Sequence, residues 1–302
     1  MKRVPVLLLL VAVALCGFVC GALVLGKRTA GPGSDQPAYQ RVLRTGIIRA
    51  GYLDYPPGTI VKTVGVDKRE VSGFCVEILN EISKHLTLTN KITEAVRVGT
   101  MIEGLNNGRY ETVAGPIWQN PARSKQALFS TPLCYSPVGI WVRSDDNRFT
   151  ESNFRETIND PNVRIASLDG SAVMGIVKTD FPRADLKTYP ESAGEPQLFL
   201  ELMGRKVDVF IAEPVKGYYH LQKNPGSVKD ITKNHPIRAL PIVFILPKDE
   251  PQLKNMFDTT IELLQNSGFV EAVLKRYQPL PDAYFPIAKP YELPGNRVES
   301  NK

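Results

Sequence analysis

Residues 115–142 read GPIWQNPARSKQALFSTPLCYSPVGIWV, and the rest of the chain is organised around them. One arginine, Arg123, stands behind a proline and ahead of an apolar run. From Ser136 the segment SPVGIWVRSDD reads as a strand that leaves into charged and polar residues, where a connection between lobes is expected. Upstream, GTMIEGLNNGRYETVAGPI reads as a short helix, a glycine turn and a strand. Before it, GIIRAGYL is a β-rich run ended by the turn signal DYPPG. VSGFCVEILNEISKHL then sets Val76, Leu79, Ile82 and Leu86 at helical spacing. Downstream the same order recurs: NVRIASLDGSAVMGIV gives strand, turn and helix, and EPQLFLELMGRKVDVFIAEP gives helix, tight turn and strand. The closing stretch from Leu240 supplies a strand and amphipathic helices whose apolar face holds Leu253, Met256, Ile261, Leu264 and Val270. Strands alternating with helices predict α/β lobes with largely parallel sheets, and ligands of such sheets sit beyond the strand ends.

The chain has 302 residues, 43% of them apolar and 23% charged, the balance of a globular protein. Its formal charge of +6 includes Lys2, Arg3, Lys27 and Arg28, in a stretch of thirty residues without an acid; subtracting those four leaves +2. No nucleic-acid footprint follows from that. Residues 1–30, with an uncharged apolar run from Val4 to Gly26, read as a signal peptide or an N-terminal membrane anchor, and 31–41 as a linker. Leu15 and Val19 precede Cys16 and Cys20, and both are larger than the small residue that lipid attachment needs. Cys75 and Cys134 are either a disulfide pair of an exported protein or two small buried hydrophobes. The three histidines and the cysteine spacing offer no metal cluster, and no cofactor is implied.

Taken in order, these segments resemble the extracellular solute-binding proteins of polar amino acid ABC transporters, family 3. GIIRAGYLDYPP is similar to the family's first strand and aromatic loop, GFCVEILNEISKHL to its first helix, and EGLNNGRYETVAGPI to its next helix and strand. NPARSKQALFSTPLCYSPVGIWV resembles the TxxRxxxxxFSxPY signature, GRKVDVFIAEP the second-lobe strand, and LPKDEPQLKNMFDTTIELLQNSGFVEAVLKRY the closing helices. The resemblance covers about residues 42 to 278. It implies a two-lobed type II periplasmic-binding-protein fold, each lobe a mainly parallel sheet flanked by helices, joined by a two-strand hinge. Residues 42–142 would open lobe 1, 143–241 form lobe 2, 242–280 return to lobe 1 and 281–302 form a tail. The crossings would fall near Trp141–Ser144 and Leu240–Val243.

The resemblance also implies a binding site. Arg123 would grip a ligand carboxylate, a task suited to the guanidinium fork. Glu213, at the end of the strand VDVFIAE, would receive an ammonium group where the family usually has aspartate, whereas Asp208 at the strand's start reads as structural. Tyr55 would supply the aromatic wall, and Gly115 belongs to the strand whose backbone faces the ligand. Trp118 and Asn120 replace a small hydroxyl residue and a threonine; Trp118 either meets the ligand or packs beneath the cleft. Gly170 and Ser171 would present a turn to the carboxylate, or simply cap the helix that follows.

The function implied is capture of a small zwitterion or carboxylate, most readily an amino acid, by hinge closure, and its delivery to an ABC transporter permease. The protein would act without turnover, as a monomer outside the cytoplasm, periplasmic or tethered to the inner membrane through its N-terminal segment. Two alternatives remain open at the level of sequence. One is an exported cyclohexadienyl dehydratase acting on prephenate or arogenate, with Glu213 as general acid. The other is a membrane-tethered ligand sensor.

Overall fold

The first lobe is built on a parallel sheet whose central strand alternates its burial. α1 (Ala38–Thr45) leads into β1 (Ile47–Tyr52), where Ile48, Ala50 and Tyr52 point into the core. A hairpin, β2 (Ile60–Val64) and β3 (Lys68–Ser72), precedes α2 (Phe74–His85). α2 buries Phe74, Ile78, Leu79 and Ile82 at three- and four-residue spacing, so one face is apolar throughout. β4 (Thr89–Ala95), α3 (Met101–Asn106) and β5 (Thr112–Ala114) complete the sheet, in the order β4-β1-β5 with both pairings parallel. The structure is a computed structural model describing residues 36–64 and 68–288. The export or anchor segment, 1–30, lies outside the described residues.

Short elements then carry the chain towards the second lobe: β6 (Ile117–Trp118), α4 (Pro121–Ser124) and β7 (Ala127–Phe129). The long β8 (Cys134–Arg143) is buried along nearly its whole length. The second lobe contains α5 (Phe154–Ile158), β9 (Arg164–Leu168), α6 (Val173–Asp180), β10 (Asp185–Tyr189), α7 (Gly194–Met203), β11 (Val209–Ala212), α8 (Pro214–Lys223) and β12 (Val228–Asp230). β10, β9 and β11 are parallel neighbours, and β8 joins β11 antiparallel. Successive residues face opposite sides of this sheet, as strand geometry demands. Ile165, Val209 and Ile211 pack with Val173 and Val177 of α6, while Ala166, Phe210 and Ala212 pack with Leu198, Phe199 and Leu202 of α7. Both faces are covered, which explains the unbroken apolar run VFIA.

The return comprises β13 (Arg238–Val243), β14 (Ile245–Pro247), α9 (Pro251–Asn266) and α10 (Phe269–Tyr277). Phe257 and Ile261 of α9 enter the same core as Ile48, Phe74 and Leu79. Burying such side chains contributes about 1.5–3 kcal/mol each. The lobes are therefore joined by two antiparallel strands, β8 and β13, paired from Cys134↔Ile242 to Val138↔Arg238. At Gly139, β8 exchanges β13 for β11 of the second lobe, and β13 reaches β6 of the first at Ile242.

Several details depart from the sequence expectations. β8 crosses ahead of Trp141–Ser144, because Trp141 already pairs with Phe210. The interval 31–41 is not all linker: α1 starts at Ala38, where the Glu250 carboxylate accepts the Ala38 N–H and, at 3.0 Å, the Tyr39 N–H. That acid caps a helix 211 residues earlier in the chain. The interval 281–302 is not all tail either: Ala283 and Tyr284 are core residues, and Phe285 bridges Tyr135. Cys75 and Cys134 are free thiols in the first-lobe core, so the small-hydrophobe alternative describes them.

Candidate functional site

β11 ends at Ala212 and α8 starts at Pro214, so Glu213 occupies the turn at the strand's C-terminal end. Its side chain makes no cap hydrogen bond to the helix and instead enters the gap between the lobes. There its carboxylate accepts the Tyr55 hydroxyl at 2.7 Å and the Ser136 hydroxyl at 2.9 Å. Burial raises the Glu213 pKa above the ordinary glutamate value and Glu195 adds to the rise, against Lys216 and the two hydroxyls. Tyr55, from the loop after β1, is raised well above the usual phenol value by burial and by Glu195 and Glu213.

Lys216 follows one turn into α8. Its ammonium lies 3.0 Å from the centroid of the Tyr55 ring and 3.8 Å from Glu195 Oε2. Burial lowers its pKa, while Glu195, Glu213 and Asp54 act in the opposite sense.

Across the cleft, Asn120 accepts the Arg123 backbone N–H at 2.9 Å and so caps α4. This short helix aims the guanidinium inward, where it donates to the Trp118 carbonyl at 3.2 Å and, across the gap, to the Gly170 carbonyl at 3.4 Å. Both contacts are long and to neutral acceptors, leaving the guanidinium able to take a carboxylate. Burial lowers the Arg123 pKa, and Glu191 counters it. Glu191 also spans the cleft, accepting the Val98 and Gly99 N–H groups at 2.6 and 3.1 Å. The walls of the cleft are largely apolar, among them Leu53, Val98, Met101, Ile117 and Phe210. No group of acids, histidines and cysteines able to hold a metal ion occurs among the described residues.

The profile of the bacterial extracellular solute-binding proteins, family 3, matches residues 48–279. The chain belongs to that family. A probable amino-acid ABC transporter-binding protein of Haemophilus influenzae is 32% identical over 78 residues, 26% of this chain and 30% of that protein. The chain thus matches about a third of the length of this curated relative. Among solved structures, the ancestral amino acid-binding protein AncCDT-1, a precursor of cyclohexadienyl dehydratase, superposes with a TM-score of 0.65 at 19% identity, covering 80% of this chain and 99% of that one. An amino acid ABC transporter substrate-binding protein from Streptococcus pneumoniae, bound to L-arginine, gives 0.63 at 18% identity, covering 83% and 100%. The family 3 chain has the type II periplasmic-binding-protein fold.

Arg123, Glu213, Tyr55, Trp118 and Ser171 line one cleft of this family 3 protein. Trp118 also packs against the cores of both lobes, and its indole N–H is buried without a partner among the described residues. Asn120 acts on Arg123, through the cap. Gly115 lies behind the wall, where a side chain would press on Leu53. Gly170 offers its carbonyl to Arg123, and the Ser171 N–H is engaged by the Leu168 carbonyl. Asp208 lies in a separate ion cluster with Arg148 and Arg164. Burial opposes its ionisation, yet the arginine hydrogen bonds prevail and hold its pKa at about 2.

Sequence reasoning missed Lys216, Glu191, Glu195 and Ser136. Lys216 lies three positions after Glu213, one turn into the helix that Glu213 precedes, whereas Gly194, at φ 68°, breaks the helical path between Glu191 and Glu195. Ser136 carried no signal, since only the hinge register sets it beside Glu213.

Proposed function

We propose that this chain is the solute-binding component of an ABC transporter. It captures a small carboxylate-bearing solute, an amino acid or a closely related acid, by closing its lobes, and hands it to a membrane permease without turnover. Arg123 carries this reading: it is a guanidinium in a largely apolar cleft between two hinged lobes, with only long contacts to neutral carbonyls. In such a site the ligand carboxylate gains charge-assisted hydrogen bonds, each contributing about 1.5–3 kcal/mol. Two or three, with the aromatic wall of Tyr55 and Trp118, support binding near the micromolar range, about 8 kcal/mol. The Haemophilus relative and the arginine-bound Streptococcus protein support the amino-acid and transporter parts of the proposal.

The protein acts outside the cytoplasm, as the family's description implies, with residues 1–30 exporting it or holding it at a membrane, and a single copy is sufficient for a cleft built from one chain. No helix among the described residues is long and apolar enough to cross a membrane. A thermal-shift screen of amino acids, small dicarboxylates and cyclohexadienyl acids tests the proposal, since a ligand bound only by the folded state raises Tm by mass action. The expected result is a rise with a subset of carboxylates and no conversion of prephenate or arogenate. Release of phenylpyruvate or phenylalanine would instead establish the dehydratase.

A further inference from the structure

The cleft presents an ammonium of its own. Lys216 Nζ sits over the Tyr55 ring, with Glu195 at 3.8 Å and no hydrogen bond among the described residues. Its side chain is 11% exposed and borders the cleft. An ammonium has three N–H donors, and so nearly buried a group needs acceptors for them. The acids of the cleft, by contrast, are already engaged. Both Glu213 oxygens accept hydroxyls, Glu191 accepts two backbone N–H groups, and Glu195 faces Lys216. Asp169, the remaining acid of the lining, is exposed. A ligand cation entering beside Glu213 would meet the like charge of Lys216, whereas a ligand oxygen would satisfy its free donors.

We propose that Lys216 sets the specificity of the cleft, selecting small organic acids that carry a second oxygen acceptor, a 2-oxo, 2-hydroxy or further carboxylate group, and no ammonium. The inference rests on the reading of the cleft as a carboxylate-binding site and narrows its ligand. Arg123 takes the first carboxylate and Lys216 the second acceptor. Burial lowers the Lys216 pKa, and the neighbouring Glu195, Glu213 and Asp54 oppose that shift and favour the charged form.

Calorimetric titration with acids paired on one carbon skeleton tests this: 2-oxoglutarate with L-glutamate, phenylpyruvate with L-phenylalanine, and 4-methyl-2-oxopentanoate with L-leucine. In the pair that fits the pocket, the oxo acid should bind wild type more tightly than its amino partner. Lys216→Met, which keeps an apolar stem over Tyr55, should weaken the oxo acid by about 10- to 100-fold and leave the amino acid unchanged or improved. Lys216→Arg should retain most of the preference. Melting curves of each variant identify any loss due to unfolding. Tighter binding of the amino acids, or an unchanged preference in a folded Lys216→Met protein, overturns the inference alone. Oxo-acid binding that survives Arg123→Ala but not Lys216→Met overturns the Arg123 reading and leaves Lys216 standing. Binding by none of the probes removes both.

Discussion

Glu213 is a carboxyl group held away from water by the contact of two lobes, and its protonation should be visible in stability. An unfolded glutamate releases its proton near 4.5, whereas buried Glu213 holds it to higher pH. Its contribution is therefore full below the unfolded value and is lost as pH rises through the higher folded value. A Glu213→Gln chain is neutral at every pH and escapes that loss. Tm of the variant minus Tm of wild type should thus increase from the acidic range towards neutrality; a flat difference would show that Lys216 and the hydroxyls offset burial, and a falling one that they outweigh it. At this scale the residues alone place Arg123 and Glu213 at an apolar strand's approach and exit, and it is the resemblance to family 3 that marks them as binding residues. Lys216 was missed because its role depends on Tyr55, 161 positions away, giving its ammonium an aromatic face.

Elements follow the same division. α2 was legible because its core is written in its own three- and four-residue spacing, and β11 because a strand covered on both faces needs a continuous apolar run. α1 was not, since the acid that caps it arrives from the return segment. Packing between α8 and β8 is equally invisible in sequence. Gly217 of α8 lies against the Trp141 ring, and a Cβ there would come within 1.9 Å of it. In an exposed helix, alanine would be favoured over glycine by about 1 kcal/mol. Here Gly217→Ala must displace a buried indole, an overpacking cost of about 1–3 kcal/mol. The variant should therefore be destabilised in urea by about 0–2 kcal/mol, the difference of these terms, and shift the Trp141 fluorescence; a stabilised variant with an unchanged spectrum would refute this packing.

The whole molecule behaves as two lobes held by strands that are short of hydrogen bonds. Pro137 and Pro241 face Ala239 and Tyr135 across the β8–β13 pair, and neither proline has an N–H to give. Fewer ladder bonds make bending there less costly than within either sheet. Across the cleft, Tyr55–Glu213, Arg123–Gly170 and Glu191 with Val98 and Gly99 hold the lobes together. Glu191→Ala should shift the ligand-free protein towards an open form, read as a larger radius of gyration in solution scattering, and unchanged scattering would count against Glu191 as a closing contact. The two-lobed plan was legible from recurring strand and helix order, but the exact crossing was not, because β8 is buried along nearly its whole length and only pairing marks its passage. The central claim is that Arg123 holds a ligand carboxylate in a closing cleft. Calorimetric titration of wild type and Arg123→Ala, with the acid that raises wild-type Tm most, tests it directly. The account predicts affinity reduced by about 100-fold or more, from loss of a bidentate charged contact, with melting of the free protein little changed. Retained affinity in a folded Arg123→Ala protein would contradict it.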